Sequence, residues 1–149
     1  MIKQKISFSF FIVIIFFLIC YHFWTAVNFD NIKYVKIAGV TLKVDLATTK
    51  EQQEKGLSFR NNLKNDEGML FVFEKPSIHH FWMKDMSFPI DIIWIGEDLK
   101  VIYIEKNVNP DTYPQTFGPN KDSLYVLEVN AGFSEKNYLK ENDKVIFLI

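Results

Sequence analysis

Five side chains between residues 60 and 128 could together form a functional site. They are Arg60, Trp82, Lys84, Asp91 and Glu128. Two cations, two carboxyl groups and one indole ring are thus available. An aromatic surface beside a few placed polar groups is a common lining of sites for sugars and other small polar ligands. The set therefore predicts a ligand-binding pocket if the fold brings these residues together.

Two of the five are acids inside apolar segments. Asp91 stands among the isoleucines of 90–95, and Glu128 stands between Leu127 and Val129. A buried carboxylate must be paired, hydrogen-bonded or protonated, because its isolated burial is very costly. Arg60 and Lys84 are the natural cationic partners, so the residues predict either a polar pocket or buried ion pairs that fix strand register. The second interpretation is favoured, since structural ion pairs are common.

A pair of carboxyl groups also suggests a hydrolase acting on envelope carbohydrate through Asp91 and Glu128. A glycosidase needs its two acids on either side of one bond, about 5 to 10 Å apart. The sequence does not give that distance. It contains no nucleophile-elbow pattern and no glycine-rich phosphate loop, so other hydrolytic and nucleotide-dependent mechanisms are not indicated.

No metal site or cofactor is predicted. His79 and His80 fall in a predicted strand, where adjacent side chains point to opposite faces and cannot share an ion. Cys20 is the only cysteine. It lies in an apolar run, so the domain that follows has no disulfide and no thiol chemistry.

The N-terminal segment 6–27 is an apolar run of 22 residues. As a helix it would reach about 33 Å, enough to cross a hydrocarbon core of about 30 Å. Lys3 and Lys5 precede it, which predicts residues 1–5 in the cytoplasm and residues 28–149 outside, in the periplasm or extracellular space. The alternative is a cleaved signal peptide and a secreted domain, although Trp24 is too large for the cleavage site that Ala26 would offer.

The charge of the predicted exported domain argues against nucleic acid as a partner. Without Lys3 and Lys5, residues 28–149 retain 15 of the 17 Lys and Arg and all 18 Asp and Glu, a net charge of −3. A nucleic-acid-binding domain usually carries a basic patch, and no basic cluster is present.

Alternating apolar residues and turn signals predict eight strands and two short helices in residues 28–149. A hairpin covers 33–47, and a capping box at Thr48 and Glu51 starts a helix over 49–57. The other predicted strands are 69–73, 78–84, 90–95, 99–105, 124–130 and 144–149. Residues 107–123 form a long loop, and a second helix follows Gly132 and ends near Asn142. The fold class is α+β and mainly β: a small, mixed, mostly antiparallel sheet curled like a barrel or sandwich, preceded by one transmembrane helix.

Five motifs in this order resemble one known family. They are GLSFR at 56–60, DEGMLFVF at 66–73, FWMK at 81–84, PID at 89–91 and VLEVNAG at 126–132. Together they resemble the bacterial and archaeal family called domain of unknown function number 192, whose members are often exported. The resemblance implies a compact β-rich fold and no settled activity. Asn142-Asp143 replaces the more usual Gly-Asp near the end, and Asn tolerates the left-handed backbone that such a turn needs.

The sequence thus favours a non-catalytic module of the cell envelope that binds a small polar ligand or a partner protein. Residues 6–27 would anchor this module in the membrane. The alternatives are the carbohydrate hydrolase and a structural envelope protein with no ligand site. A structure would separate the three: two carboxylates in an open pocket favour the hydrolase, one ion pair with an aromatic favours binding, and a filled interior favours the structural role. The most useful experiment is a ligand screen by thermal shift on the domain from residue 28 onward.

Overall fold

The structure, a computed structural model, describes residues 31–149. Nine strands and two α-helices lie in this part of the chain. The strands are β1 (Tyr34–Ile37), β2 (Val40–Ala47), β3 (Glu67–Ser77), β4 (Phe81–Trp82), β5 (Ile90–Ile95), β6 (Val101–Val108), β7 (Thr116–Phe117), β8 (Ser123–Asn130) and β9 (Val145–Leu148). The helices are α1 (Lys50–Lys55) and α2 (Phe133–Lys136), and a 3₁₀ turn covers Pro110–Thr112.

Seven strands form one curled sheet, a half-barrel, in the order β6-β5-β8-β3-β2-β1-β9. Only the β2–β3 pair of this sheet is parallel, and α1 lies in the connection that such a pair requires. Backbone hydrogen bonds from Val145 N to Leu99 O and from Asn142 N to Val101 O draw the two edges of the sheet together at one end. The prediction of a mixed, mostly antiparallel curled sheet with two short helices is confirmed.

Hydrophobic residues pack on both faces of this sheet. All six residues of β5 are buried, as its continuous apolar sequence predicted. Ile93 and Ile95 join Leu127 in the core on one face, whereas Ile92 and Trp94 pack in the core on the other. Each fully buried side chain of this size contributes about 1.5 to 3 kcal/mol, so β5 holds the two layers together.

Helix α1 begins one residue later than its capping motif predicted. Thr49, not Thr48, is the N-cap: its Oγ1 accepts a hydrogen bond from Gln52 N at 3.2 Å. Gln52 Oε1 accepts in return from the backbone N–H groups of Thr49 and Thr48, both at 3.0 Å. The sequence fits a capping box in both registers, and the Gln52 register satisfies two amides with one side chain.

The region between β3 and β8 departs most from the predicted elements. Strand β3 includes Pro76. The proline is tolerated because the pairing of β3 with β8 is interrupted between Val72 and Ser77, where no backbone N–H is needed for the ladder. The predicted strand 78–84 is reduced to β4, which pairs with β7 inside the stretch predicted as an irregular loop. Helix α2 is also shorter than predicted.

The turn at Asn142 confirms the expectation drawn from its asparagine. Asn142 has a φ of +71°, in the left-handed region that asparagine accepts more readily than most residues. The predicted transmembrane segment 6–27 lies outside the described residues. Within residues 31–149, no helix is long and apolar enough to cross a membrane.

Candidate functional site

An open pocket of about 240 Å³ lies between α1, the strand β3 and the segment that leads into β4. Four aromatic side chains line it: Phe71, Phe73, Phe81 and Trp82. The rings of Phe81 and Phe71 pack edge to face with centroids 4.8 Å apart. This contact positions the inner wall of the pocket. A mostly apolar wall with a few polar groups is typical of a site for a small molecule.

Glu128 of β8 also lines this pocket and is only 4 % exposed. It lies opposite Met69 of β3 and Ile92 of β5, so both flanking side chains are apolar. The Oε2 atom of Glu128 has no hydrogen-bond partner. Burial raises the pKa of Glu128 to about 8, and the charge of Arg60 lowers that pKa only in part. At neutral pH the free pocket therefore holds a mainly protonated carboxyl group.

Gly56 ends α1 directly above this carboxyl group. A Cβ atom at position 56 would lie 3.3 Å from Cζ of Phe71 and 3.7 Å from Oε2 of Glu128. The Gly56 backbone also has φ +48° and ψ −135°, a conformation that side-chain-bearing residues rarely adopt. Glycine at this position of the GLSFR motif thus allows the chain to turn closely over Phe71 and Glu128.

His79 and His80 line the same pocket. They precede β4 and belong to no strand, so the prediction that they lie within a strand over 78–84 is wrong. The His79 ring stacks on Phe73 with centroids 3.4 Å apart, and its carbonyl accepts a hydrogen bond from Nε1 of Trp94 at 2.8 Å. Burial lowers the pKa of His79, and its Nε2 has no hydrogen-bond partner. Among the described residues, no group of three or more His, Cys, Asp or Glu could hold a metal ion.

Trp82 forms the outer part of the aromatic wall. It is 47 % exposed and also contacts Tyr113, with ring centroids 6.0 Å apart. Nζ of Lys84 lies 5.9 Å from the centroid of the Trp82 ring, within the range of a weak cation–π contact. Lys84 therefore lies near the site but is not among the residues that line it.

Arg60 lies over a neighbouring depression that shares Lys55, Gly56 and Ser58 with the pocket. Its Nη2 pairs with Oδ2 of Asp45 at 2.8 Å. Both side chains of this pair are partly exposed, so the ion pair contributes little to stability. The sequence proposed Arg60 as a partner of the buried acids, whereas its ion pair is with Asp45.

Asp91 lies away from the pocket and is fully buried. Its Oδ1 accepts hydrogen bonds from the backbone N–H groups of Asn107 at 2.9 Å and Gly132 at 3.2 Å, and its Oδ2 accepts from Ser134 N at 2.8 Å. These three amides satisfy the carboxylate without a cation. Asp91 therefore joins β5 to the end of β6 and to the start of α2.

The strand register separates the two buried acids. Asp91 lies opposite Val129, and Ile92 lies opposite Glu128. Directly paired residues share a face, and neighbours along a strand alternate, so Asp91 and Glu128 point to opposite faces of the sheet. They cannot flank one glycosidic bond, and the fold does not assemble the carboxylate pair that the hydrolase hypothesis required.

Of the five residues that the sequence selected, Trp82 and Glu128 line one pocket. Lys84 and Arg60 lie beside it, and Asp91 does not contribute. The phenylalanines of the aromatic wall were not selected, because their apolar context indicated core positions. The histidines were not selected, because a strand would point their side chains to opposite faces. Gly56 and Phe71 fall within the recognised motifs, which was the one signal that could have pointed to them.

Two solved structures resemble this chain over most of its length. A protein of unknown function from Novosphingobium aromaticivorans DSM 12444 is 34 % identical, with a TM-score of 0.73 and coverage of 77 % of this chain and 84 % of that one. A protein from Sinorhizobium meliloti 1021, solved as a candidate transcription regulator, is 30 % identical, with a TM-score of 0.72 and coverage of 76 % and 92 %. No curated protein matches the chain.

The model of one protein family matches residues 33–147. This span includes the half-barrel up to the last residue of β9, the pocket and all five motifs seen in the sequence. The family is DUF192, described as "Uncharacterized ACR". The chain belongs to this family, as the motifs predicted.

Proposed function

We propose that this protein is a non-catalytic ligand-binding module of the cell envelope and that the pocket above Glu128 is its binding site. The observation that carries the proposal is that Glu128 lines an open pocket while its buried Oε2 has no hydrogen-bond partner. A buried polar atom without a hydrogen bond costs stability, and a ligand that bonds to it recovers that cost on binding. The aromatic wall would hold the apolar part of the same ligand.

The binding role is favoured over a hydrolytic one by the placement of the acids. Asp91, the second acid that the hydrolase hypothesis requires, lies on the opposite face of the sheet from Glu128. Among the hydroxyl groups at the pocket, Ser58 Oγ donates to the carbonyl of Lys84 at 2.8 Å. The Ser58 proton is thus held by a backbone carbonyl and not by a base that would activate the hydroxyl as a nucleophile.

A thermal-shift screen of small polar and aromatic molecules tests the proposed site. We expect compounds that raise the melting temperature of the purified protein, and we expect Trp82→Ala to weaken their binding about tenfold by removing an aromatic wall. Because Trp82 is half exposed, its loss should change stability little. Tyr138→Ala is the matched control, since Tyr138 is 89 % exposed and does not line the pocket. If no compound binds in a way that depends on Trp82, the screen would favour a structural envelope protein instead.

We also propose that residues 6–27 anchor the protein with its C-terminal domain outside the cytoplasm. The proposal is supported by the length of the apolar run and by Lys3 and Lys5 before it. A reporter that is active only in the periplasm should give a signal when fused after Ile149, and one active only in the cytoplasm should not. The reverse pattern would contradict the orientation, and a mature mass lacking about two dozen residues would replace the anchor with a cleaved signal peptide.

A further inference from the structure

The Glu128 carboxyl group lies in a pocket that supplies no counter-ion of its own. The titratable or charged groups that face it come from α1, from the segment after α1 and from the segment before β4. They are Lys50, Glu54, Lys55, Arg60, His79 and His80. Asp45 of β2 lies on the same face of the sheet as Glu128 and is paired with Arg60. The elements β3 and β5 present only the apolar side chains of Met69, Phe71 and Ile92 to it.

None of these cations pairs with Glu128. Arg60 pairs with Asp45 at 2.8 Å, and Lys50 lies 3.9 Å from Glu54 in an exposed ion pair. Lys55 is also exposed, where water and salt screen its charge. His79 is half-buried, and burial favours its neutral form. The charge that would stabilise an ionised Glu128 must therefore come from a ligand.

The surrounding rings are suited to a cation. The faces of aromatic rings attract ammonium groups, and a carboxylate within an aromatic enclosure is a common arrangement for organic amines. Phe71, Phe81 and Trp82 line the pocket together with Glu128. Glu54, the other acid that lines the pocket, is exposed and lies 3.9 Å from Lys50, so Glu128 is the acid that would neutralise a bound cation.

We infer that the pocket binds small organic cations, with an ammonium group against Glu128 and the apolar part of the ligand against Phe71, Phe81 and Trp82. The inference rests on the proposed function and specifies its ligand class. On binding, Glu128 would lose its proton and form a buried ion pair with the ligand. The same ammonium chemistry could be offered by a free amine or by a lysine side chain of a peptide.

Three probes of nearly equal size test the charge of the ligand: 2-phenylethylammonium, 2-phenylethanol and phenylacetate. We expect the ammonium to bind at least tenfold more tightly than the alcohol at pH 8, and phenylacetate to bind most weakly. An alkyl ammonium titrates near pH 10, so the probe stays cationic through the experiment. Below pH 8, where free Glu128 is protonated, the affinity for the ammonium should fall about tenfold per pH unit.

Glu128→Gln is the decisive variant, because it keeps the size of the side chain and removes its charge. It should abolish the preference for the ammonium over the alcohol. A second measurement needs no variant: calorimetry of the parent at pH 7 in buffers of different ionisation enthalpy should show about one proton released per ammonium bound. A peptide with one internal lysine, tested beside the free amine, identifies which source the pocket admits.

The outcomes separate the ligand class from the site. If the alcohol or phenylacetate binds as tightly as the ammonium, or if the preference survives in Glu128→Gln, the cation inference is overturned while the pocket remains a binding site. If the ammonium does not bind at all, the cation inference is also overturned. The proposed function itself fails only when the wider screen yields no compound whose binding depends on Trp82.

Discussion

Asp91→Asn should lower the free energy of unfolding by about 3 kcal/mol. An asparagine whose Oδ1 still accepts from Asn107 and Gly132 must turn its amide N–H₂ toward the backbone N–H of Ser134. One buried donor then faces another, and the two remaining hydrogen bonds lose their charged acceptor. Hydrogen bonds to charged groups contribute about 1.5 to 3 kcal/mol each, and the burial of Asp91 excludes water as a substitute.

Urea unfolding of the parent and the variant measures this effect, and the melting temperature should fall by about 10 °C or more. Asp98→Asn is the matched control. Asp98 also accepts from a backbone amide, that of Lys100 at 3.2 Å, but it is exposed to water and should tolerate the change. An Asp91→Asn protein that unfolds at the parental urea concentration would show that the three amides do not depend on the carboxylate.

The sequence predicted the importance of Asp91 but not its partners. The isoleucines around it indicate a buried strand, and a buried acid must be satisfied by some group. The sequence indicated charged side chains as the partners, and Arg60 and Lys84 were the candidates. The partners are backbone amides from Asn107, Gly132 and Ser134, which no residue type reveals. Such partners depend on where the chain passes in space.

The sequence also could not predict whether Asp91 and Glu128 lie on the same face of the sheet. Alternation along each strand fixes which residues share a face within that strand. Whether the two faces coincide depends on register, and a shift of one residue between β5 and β8 would place both acids on the same face. Individual strands with strong apolar patterns, such as β5, were therefore predictable from the sequence. The relation between strands, and hence the composition of the pocket, was not.

The pocket walls were the least predictable part of the site. Trp82 pairs with Thr116, and this contact converts part of a predicted loop into β7. Two-residue strands have too little pattern to be seen in a sequence. His79 is positioned by stacking on Phe73, six residues earlier, and by a hydrogen bond from Trp94, 15 residues later, to its carbonyl. From the sequence alone, residues that are positioned by such contacts are predicted to be core or loop residues.

The stability of the protein should fall by about 4 kcal/mol between pH 5 and pH 8 through Glu128 alone. Its pKa in the folded protein is about 8, whereas the unfolded chain titrates near the ordinary value of 4.5. Between these two values the folded state holds a proton that the unfolded state has released. The number of bound protons is then larger in the native state, so the free energy of unfolding decreases as the pH rises.

Glu128→Gln should remove this slope, because glutamine does not titrate. His79 changes stability in the opposite direction: burial lowers its pKa, so stability rises as pH increases through its titration range. His79 is present in both proteins, and its contribution cancels when the two pH profiles are subtracted. The constant cost of burying the glutamine amide also cancels, since it does not depend on pH. The difference between the profiles thus isolates the Glu128 carboxyl group.

Urea unfolding at pH 5, 6, 7 and 8 provides the measurement, with Glu67→Gln as the control. The pKa of Glu67 is lowered by its hydrogen bond from Lys64. Glu67 is therefore ionised above pH 5 in both the folded and the unfolded states, and its loss should leave the profile parallel to that of the parent. A Glu128→Gln profile that is also parallel to the parent would mean that Glu128 ionises normally in the folded protein. The carboxyl group would then be solvated, and the inference that it requires a cationic ligand would lose its physical basis.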